Sequence, residues 1–131
     1  MIPESAQYLL KWETKAFAYL ALTLKDGGPQ VTPIWFDWDG THVIINTARG
    51  RVKDRALARK AVVALAIPDP ADPYKYLQIR GSVAEETEEG GYEMICRLNE
   101  KYKGKNEFPR APGQVRVTYK VLPEKVFTNL K

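Results

Sequence analysis

The stretch FAYLALTLKDGGPQVTPIWFDWDGTHVIINT, at residues 17–47, decides the fold class. Its apolar residues alternate or form short runs, and the turn sequences DGG at Asp26–Gly28 and DG at Asp39–Gly40 separate them. This pattern predicts an antiparallel meander of three strands. The predicted strands are Phe17–Leu24, Gln30–Trp38 and His42–Thr47. Because Pro33 has no N–H for a central ladder, its strand must be an edge, carry a bulge or face an open groove.

The rest of the chain places short helices between strands, without the regular alternation of βαβ units. The predicted helices are Glu4–Trp12, Arg51–Lys60 and Glu88–Tyr102. The further predicted strands are Ala61–Ile67, Tyr74–Glu86, Val115–Leu122 and Lys125–Phe127. Ala61–Ile67 is apolar throughout, which predicts burial on both faces, and the proline-rich Pro68–Pro73 is expected to be a loop outside any ladder. The predicted fold class is α+β, mostly β: an antiparallel barrel of six to seven strands with short flanking helices.

The overall composition is typical of one soluble globular domain spanning residues 1–131, with 44% hydrophobic and 27% charged residues. The single cysteine, Cys96, has no internal disulfide partner and is expected to be a small buried hydrophobe. No run approaches the roughly 18 apolar residues of a membrane-spanning helix, and the N-terminal residues do not resemble a secretory signal. We therefore expect a cytoplasmic protein.

Positive charge is concentrated in one segment, NTARGRVKDR at residues 46–55, and in its continuation to Lys60. Residues 49–60 carry six basic side chains and one acid, Asp54, whereas the whole chain has a net charge of +4. The remainder is therefore close to neutral, which argues against a general nucleic-acid-binding or membrane-binding surface. A cluster this compact suggests a compact anion.

The basic segment opens the predicted helix Arg51–Lys60, where cations oppose the helix dipole. Each exposed cation near a helix N-terminus costs about 0.3 to 1 kcal/mol, whereas a bound phosphate or carboxylate would reverse the sign of that cost. Gly50 would let the backbone approach an anion closely. The segment therefore predicts an anion site, and the alternative is an ordinary solvated basic helix. Neither the Walker pattern nor the dinucleotide-binding glycine pattern is present.

Side chains for metal or acid–base catalysis are scarce. The only histidine, His42, has no His or Cys companion at ligand spacing, and no serine lies in a nucleophile motif. We therefore expect no metal, and an enzyme of this composition would take its chemistry from a bound cofactor. Several aromatic side chains offer flat walls for a ring system, or else belong to the core and to a dimer contact. These are Trp35, Phe36, Trp38, Tyr74 and Tyr76.

Four segments resemble the flavin/deazaflavin oxidoreductases, a group of pyridoxamine 5′-phosphate oxidase-like, FMN-binding split β-barrels. The segments are Asp26–Gly40, Ile45–Leu57, Asp69–Gly81 and Val115–Phe127. The most specific is INTARGRVKDR at residues 45–55, and it is most similar to the branch that uses the deazaflavin coenzyme F-420 instead of FMN. The resemblance implies a split β-barrel and a homodimer that binds two cofactors in grooves along its interface.

The resemblance also implies a set of cofactor contacts. The implied contacts are Thr32, Pro33, Trp35, Asn46, Thr47, Arg51, Lys53, Arg55 and Tyr76. Within this set, Arg51 and Lys53 match the positions that hold the cofactor phosphate, and Pro33 lies on the strand beside the ring system. Tyr76, together with Arg80, would approach from the partner chain.

The implied function is that of an oxidoreductase in which reduced F-420 transfers a hydride to an electron-poor organic acceptor. The alternatives are an FMN-binding oxidoreductase of the pyridoxamine-phosphate-oxidase type and a non-catalytic F-420-binding protein. No catalytic residue is assigned. Arg49 and Arg59 are candidates for contacts with the oligoglutamate tail, which F-420 carries and FMN lacks. A nucleic-acid-binding barrel is disfavoured, because its basic and stacking residues would be spread along several strands.

Overall fold

A computed structural model describes residues 1–131, and its seven antiparallel strands form one curled sheet. The strands are β1 (Ala18–Thr23), β2 (Pro29–Ile34), β3 (Asp37–Trp38), β4 (Val43–Ala48), β5 (Val62–Asp69), β6 (Asp72–Thr87) and β7 (Arg116–Thr128). The helices are α1 (Val52–Ala58), α2 (Gly91–Lys103) and two N-terminal 3₁₀ helices, Glu4–Leu10 and Trp12–Thr14. The predicted fold class, α+β and mostly β with a split β-barrel and short flanking helices, is confirmed.

The strand order explains how the sheet curls. It runs β2-β1-β5-β6-β7-β4-β3, so β2 and β3 lie at opposite edges although only Trp35 and Phe36 separate them in the chain. The sheet must therefore bend until its two edges meet at these residues. The predicted three-stranded meander is wrong, because β2 pairs with β1 alone while β3 pairs with β4. The single strand predicted at Gln30–Trp38 is accordingly two strands.

Pro33 and the residues after it account for this break. Pro33 lies opposite Tyr19 on β1 and has no N–H for a second neighbour, so the expected edge position is confirmed. Phe36 then enters the core, where its N–H donates to the Tyr102 hydroxyl at 3.3 Å and its carbonyl accepts from Lys101 Nζ at 2.7 Å. Side chains of α2 thus satisfy the backbone where no neighbouring strand does.

The loop predicted at Pro68–Pro73 is wrong, because β5 and β6 continue through it as a hairpin. Pro68 lies opposite Tyr76 and Asp69 lies opposite Asp72, with a register shift at the end of the ladder. Prolines are tolerated at such a place because strand ends and bulges leave N–H groups without ladder partners. The two strands predicted near the C-terminus are likewise one strand, β7, with a register shift against β6.

One face of β5 is exposed, contrary to the predicted burial on both faces. Val63 and Leu65 lie in the core, whereas Val62 is 62% exposed on the outer face of the barrel. The exposed face continues across the neighbouring strands through directly paired residues. One such row is Pro33, Tyr19, Ala66, Gln78 and Phe127. An exposed row that is apolar except for Gln78 is typical of a protein–protein contact surface.

The core lies inside the barrel and under α2. Its largest fully buried side chains include Tyr119 and Phe36, and Cys96 is buried on α2 as expected. The first turn of α2 lies against β7 because Gly91 has no side chain; a Cβ there would stand 2.4 Å from the Arg116 carbonyl oxygen. No helix in the structure has both the length and the apolar character needed to cross a bilayer.

Candidate functional site

The basic segment at residues 49–60 separates into two groups with opposite environments. The Arg49 guanidinium is surrounded by acids. It donates to three carboxylates, Glu88 at 2.8 Å, Glu86 at 2.7 Å and Asp54 at 3.0 Å. The hydrogen bonds with these carboxylates raise the pKa of Arg49 above its usual range. Arg49 is therefore part of the framework of the fold and is not a free cation for a cofactor tail.

Asp54 fixes the turn from β4 into α1. Its Oδ2 accepts the Gly50 N–H at 2.9 Å, and its Oδ1 accepts the Tyr119 hydroxyl at 2.6 Å. Gly50 has a φ of +90°, a left-handed conformation that favours glycine. Burial opposes the charge on Asp54, but these donors and Arg49 outweigh it and hold its pKa below the usual range. The only acid of the basic segment is thus a structural anchor.

A groove of about 420 Å³ opens between the β2 edge and α2. Apolar side chains form most of its wall: Phe17, Pro33, Ile34, Trp35, Ile95, Leu98 and Phe108. Its polar lining consists of Asn46 and Lys53. A concave apolar surface with a few polar groups is the usual form of a small-molecule site.

A larger depression, of about 550 Å³, lies beside the N-terminal 3₁₀ helices and is lined by Trp38 and Leu122 among others. Its only basic side chain is Lys11. The smaller groove combines aromatic walls with the convergence of basic residues, so it is the better candidate for an anionic ring cofactor.

The aromatic wall of the groove is held in place by Tyr102 of α2. The Tyr102 ring stacks on Trp35, with centroids 5.2 Å apart, and on Phe17, with centroids 5.3 Å apart. Its hydroxyl donates to the Ala16 carbonyl at 2.5 Å, and burial raises the pKa of Tyr102. The Phe17 and Trp35 rings of the groove are therefore fixed before a ligand enters, which lowers the entropic cost of binding.

Three cations converge beside Asn46 without an acidic partner. Lys53 is half-buried in the groove, and burial together with the charge of Arg51 lowers its pKa. Arg116 is only 8% exposed and donates from Nε to Asn46 Oδ1 at 2.9 Å, and its terminal nitrogens make no hydrogen bond within the chain. Burial and the Arg51 charge lower the pKa of Arg116 to about 10.

None of these three cations forms an ion pair, in contrast to Arg49. A buried or half-buried charge without a counterion costs free energy, and a bound anion would recover it. The donor set consists of N–H groups alone, which suits phosphate or carboxylate oxygen. Flat apolar walls beside such a set fit a phosphate-bearing tricyclic ring.

The structure brings most of the predicted cofactor contacts to this place. Four of the nine line the groove: Pro33, Trp35, Asn46 and Lys53. Arg51 lies next to them as the N-cap residue of α1. Thr32 does not line the groove, and its buried Oγ1 has no hydrogen-bond partner. Thr47 alternates with Asn46 along β4 and is 3% exposed on the side of the barrel interior.

Two predicted contacts, Arg55 and Tyr76, lie away from the groove. Arg55 donates to the Gly50 carbonyl at 2.9 Å and lines a separate depression beside Arg59. Tyr76 lies on the outer face of β6, with its ring 6.2 Å from that of Phe127. Any contact between Tyr76 and a ligand in the groove would therefore have to come from a second copy of the chain.

Sequence reasoning missed the contribution of α2 and of the segment before β7. Ile95 and Leu98 line the groove, whereas the sequence pattern predicted only the helix that carries them. Phe108 lies in a loop directly before Pro109 and carries no periodic signal. Arg116 could have been noticed, because a lone arginine between Val115 and Val117 interrupts an apolar strand.

Comparisons with known proteins agree with this geometry. The profile of the pyridoxamine 5′-phosphate oxidase family matches residues 4–129. No curated protein matches the chain. Among solved structures, an F420 reductase is 32% identical, with a TM-score of 0.85 over 96% of this chain and 98% of that protein.

Two more distant structures share the fold. A conserved hypothetical protein from Mycobacterium tuberculosis is 19% identical, with a TM-score of 0.71 over 98% of this chain and 84% of that one. The FAD- and heme-binding protein from Mycobacterium smegmatis is 16% identical, with a TM-score of 0.67 over 95% of this chain and 70% of that one. The family match confirms the resemblance seen in the sequence, and the F420 reductase is consistent with the F-420-dependent branch. The chain belongs to the pyridoxamine 5′-phosphate oxidase family of split β-barrels.

Proposed function

We propose that the protein is an oxidoreductase that uses the reduced deazaflavin coenzyme F-420 to reduce an electron-poor organic acceptor. The observation that carries this proposal is the groove, where fixed aromatic walls adjoin three cations without acidic partners. The family match and the F420 reductase structure support a flavin or deazaflavin cofactor. In this proposal residues 1–131 form a single cofactor-binding domain that works in the cytoplasm.

Each part of the groove has a role in binding the cofactor. Lys53 and Arg51 bind the phosphate through ammonium and guanidinium N–H groups, and Pro33 and Trp35 lie against the ring system. Asn46 is oriented by donating to the Gly91 carbonyl at 2.8 Å. When bound, reduced F-420 supplies hydride transfer to an electron-poor double bond. The chain itself binds, orients and excludes water, and we assign no catalytic side chain.

We infer further that the functional unit is a homodimer formed through the outer face of β1, β2, β5, β6 and β7. A continuous exposed row on this face begins at Pro33, on the rim of the groove, and ends at Phe127. A second copy on this face would bury the apolar row and bring its own Tyr76 and Arg80 towards the groove. These residues lie on the same outer face, which supports the partner contacts implied by the family resemblance.

Sedimentation velocity tests the dimer. The wild type should sediment as a dimer, and Ala66→Glu, in the middle of the row, should sediment as a folded monomer because it places a charge in the apolar contact. Lys11→Glu, which lies outside the row, is the matched control and should remain dimeric. A monomeric wild type at micromolar concentration would contradict the inference.

Titration of the apo-protein with F-420 and with FMN, followed by fluorescence, tests the cofactor. Lys53→Ala should weaken F-420 binding by about 100-fold, since a half-buried charged hydrogen bond to phosphate contributes about 3 kcal/mol. Arg51→Ala should weaken it by about tenfold, and the control Lys11→Ala should leave it unchanged. Preference for FMN would select the FMN-binding alternative, and binding of neither cofactor would refute the proposal.

The same samples distinguish an F-420-dependent oxidoreductase from a non-catalytic F-420-binding protein. Bound reduced F-420 should be oxidised by some member of a panel of enones and quinones, with a rate that falls in Lys53→Ala. Tight binding without oxidation by any member would instead support the non-catalytic F-420-binding alternative.

A further inference from the structure

A second cleft, of about 390 Å³, lies beside the groove, and Arg116 is the only one of the three unpaired cations that lines it. We call it the cationic cleft; its lining residues used here are Tyr92, Arg110, Gln114 and Arg116. The groove and the cleft share no lining residue, and Asn46 and Phe108 form the boundary between them. Across this boundary, Arg116 Nε bonds to Asn46, and the Arg116 guanidinium lies 5.4 Å from the centroid of the Phe108 ring. A ligand in the groove is therefore within reach of the cleft.

Arg116 is the buried member of this cleft. More than nine-tenths of its surface is buried, yet one amide oxygen is its only hydrogen-bond acceptor. No carboxylate lies within ion-pair distance. The unpaired terminal nitrogens of Arg116 are not closed off in the interior but belong to a residue that lines the cleft, so they are available to a ligand that the chain does not itself supply.

Arg110 is the exposed member, and it is also held without an acid. Its guanidinium stacks 3.5 Å from the centroid of the Tyr92 ring, and the Tyr92 hydroxyl is anchored by donating to the Phe108 carbonyl at 2.7 Å. Stacking fixes the plane of the guanidinium and leaves its N–H edge free for a planar acceptor. Arg110 forms no ion pair.

The first turn of α2 adds to the positive potential of the cleft. The helix has 13 residues, its N-cap residue Gly90 provides no side-chain cap, and Gly91 lies against the Arg116 backbone. The unpaired N–H groups at such an end amount to roughly half a positive charge. The first turn also carries one acid, Glu93, but it forms no ion pair with either guanidinium, so the cleft retains donors for a further anion.

We propose that the cationic cleft binds a carboxylate group of a small molecule that also occupies the groove. Two guanidinium planes, each beside an aromatic ring, present paired N–H donors that match a planar carboxylate. The carboxylate belongs either to the acceptor or to the side chain of the cofactor. The inference rests on the proposed function for the identity of the groove ligand, but the anion chemistry of the cleft is testable without F-420.

The direct test uses the apo-protein with succinate as the carboxylate probe and succinamide as its neutral counterpart. Amide NMR shifts of Gly91, Tyr92 and Gly113 report on the cleft. Succinate should shift these signals saturably, and succinamide should not. Arg110→Ala should weaken succinate by roughly five- to tenfold, the loss expected for one charge-assisted hydrogen-bonding partner.

Two further variants make the test specific. Arg116→Lys keeps the charge but loses the planar guanidinium, so it should also weaken succinate binding severalfold relative to the wild type. Lys105→Ala, an exposed cation of the same loop outside the cleft, is the control and should bind succinate normally. Equal shifts with succinamide, shifts that do not saturate, or an unchanged affinity in Arg110→Ala would overturn the proposal.

Two arms then identify the source of the carboxylate. Weaker binding of F-420 by Arg110→Ala, with unchanged binding of F-420 from which the oligoglutamate has been removed, assigns it to the cofactor. A raised KM for carboxylated acceptors, with an unchanged KM for neutral ones, assigns it to the acceptor. If neither quantity changes, the cleft has no role in ligand binding and the proposal fails, while the Lys53→Ala titration still tests the cofactor site independently.

Discussion

Arg49 and Arg116 lie side by side at the end of the β4–β7 ladder, yet the fold treats them in opposite ways. Arg116 pairs with Ala48, and the Arg49 N–H donates to the Val115 carbonyl at 2.9 Å. Arg49 donates to three carboxylates although it is partly exposed, whereas Arg116 is buried and meets one amide oxygen. Arg116 is therefore more buried than Arg49 but has fewer hydrogen-bond partners.

This difference separates structural charge from functional charge. A charge that only stabilises the fold can be matched by acids from the same chain, as Arg49 is by Asp54 and Glu86. A charge reserved for a ligand must be left unmatched, at a cost in stability that the ligand offsets. Counting basic residues in the segment did not distinguish the two classes, but their partners do.

The largest effect on stability is expected from removing Asp54, the buried carboxylate that pairs with Arg49. Asp54→Ala removes the carboxylate that accepts from the Tyr119 hydroxyl, the Gly50 N–H and the Arg49 guanidinium, so the free energy of unfolding should fall by about 3 kcal/mol or more. Urea denaturation measures it. Glu88→Ala removes a more exposed partner of Arg49 and should cost less than about 1 kcal/mol. Similar losses in the two variants would show that Asp54 is not the anchor.

Lys101 is an intermediate case, because it is fully buried but bonded to the Phe36 carbonyl. Burial lowers its pKa from 10.5 to about 8, so the unfolded chain binds this proton more tightly than the folded chain. Stability should therefore rise with pH between about 8 and 10.5, and the contribution should be lost again as pH falls through 8.

The variant Lys101→Met isolates this contribution from the tyrosines that titrate at higher pH. Relative to Lys101→Met, the wild type should gain up to about 3 kcal/mol across that window, as a shift of this size implies. Urea denaturation at a series of pH values measures the difference. Parallel pH profiles for the two proteins would mean that the ammonium is not destabilised by burial.

Removing Arg116, which has no carboxylate partner, should affect stability in the opposite direction to removing Asp54. Arg116→Met removes a buried charge without a counterion and fills its space with a side chain of similar reach, so stability should be unchanged or higher by about 1 kcal/mol. The same variant should bind succinate and F-420 more weakly. A loss of stability comparable to that of Asp54→Ala would assign Arg116 to the framework instead.

The sequence was sufficient to predict the fold class because its main signals are local. Turn residues at Asp26–Gly28 and Asp39–Gly40, alternation in the strands and the edge position of Pro33 all depend on residues close in the chain. The crossing at Trp35 and Phe36 was missed because α2, more than 60 residues away, supplies its hydrogen bonds. Long-range backbone satisfaction of this kind has no local pattern.

Only the part of the candidate site that depends on local sequence patterns could be predicted. Pro33, Trp35, Asn46 and Lys53 lie on neighbouring elements and carried the family motif, and the structure brings them to one groove. Arg116 is brought to the site by strand pairing with Ala48. The lone arginine in an apolar strand marks the residue, but no pattern near it indicates this partner. The neutralisation of Arg49 likewise depends on acids at residues 86 and 88 of a different strand and turn.

The smallest effect expected is stabilisation by inorganic phosphate. If the unmatched cations form an anion site, phosphate binds the folded state and raises stability by about 0.4 kcal/mol when its concentration equals its dissociation constant. Arg51→Ala should show a smaller gain, because Arg51 contributes to the field at both Lys53 and Arg116. Phosphate also stabilises proteins by exclusion from their surface, but that contribution should be equal in Arg51→Ala and in the control Lys11→Ala. The difference between these two variants, measured by thermal unfolding at constant ionic strength, therefore isolates specific binding, and equal gains would leave Arg51 without a role at the anion site.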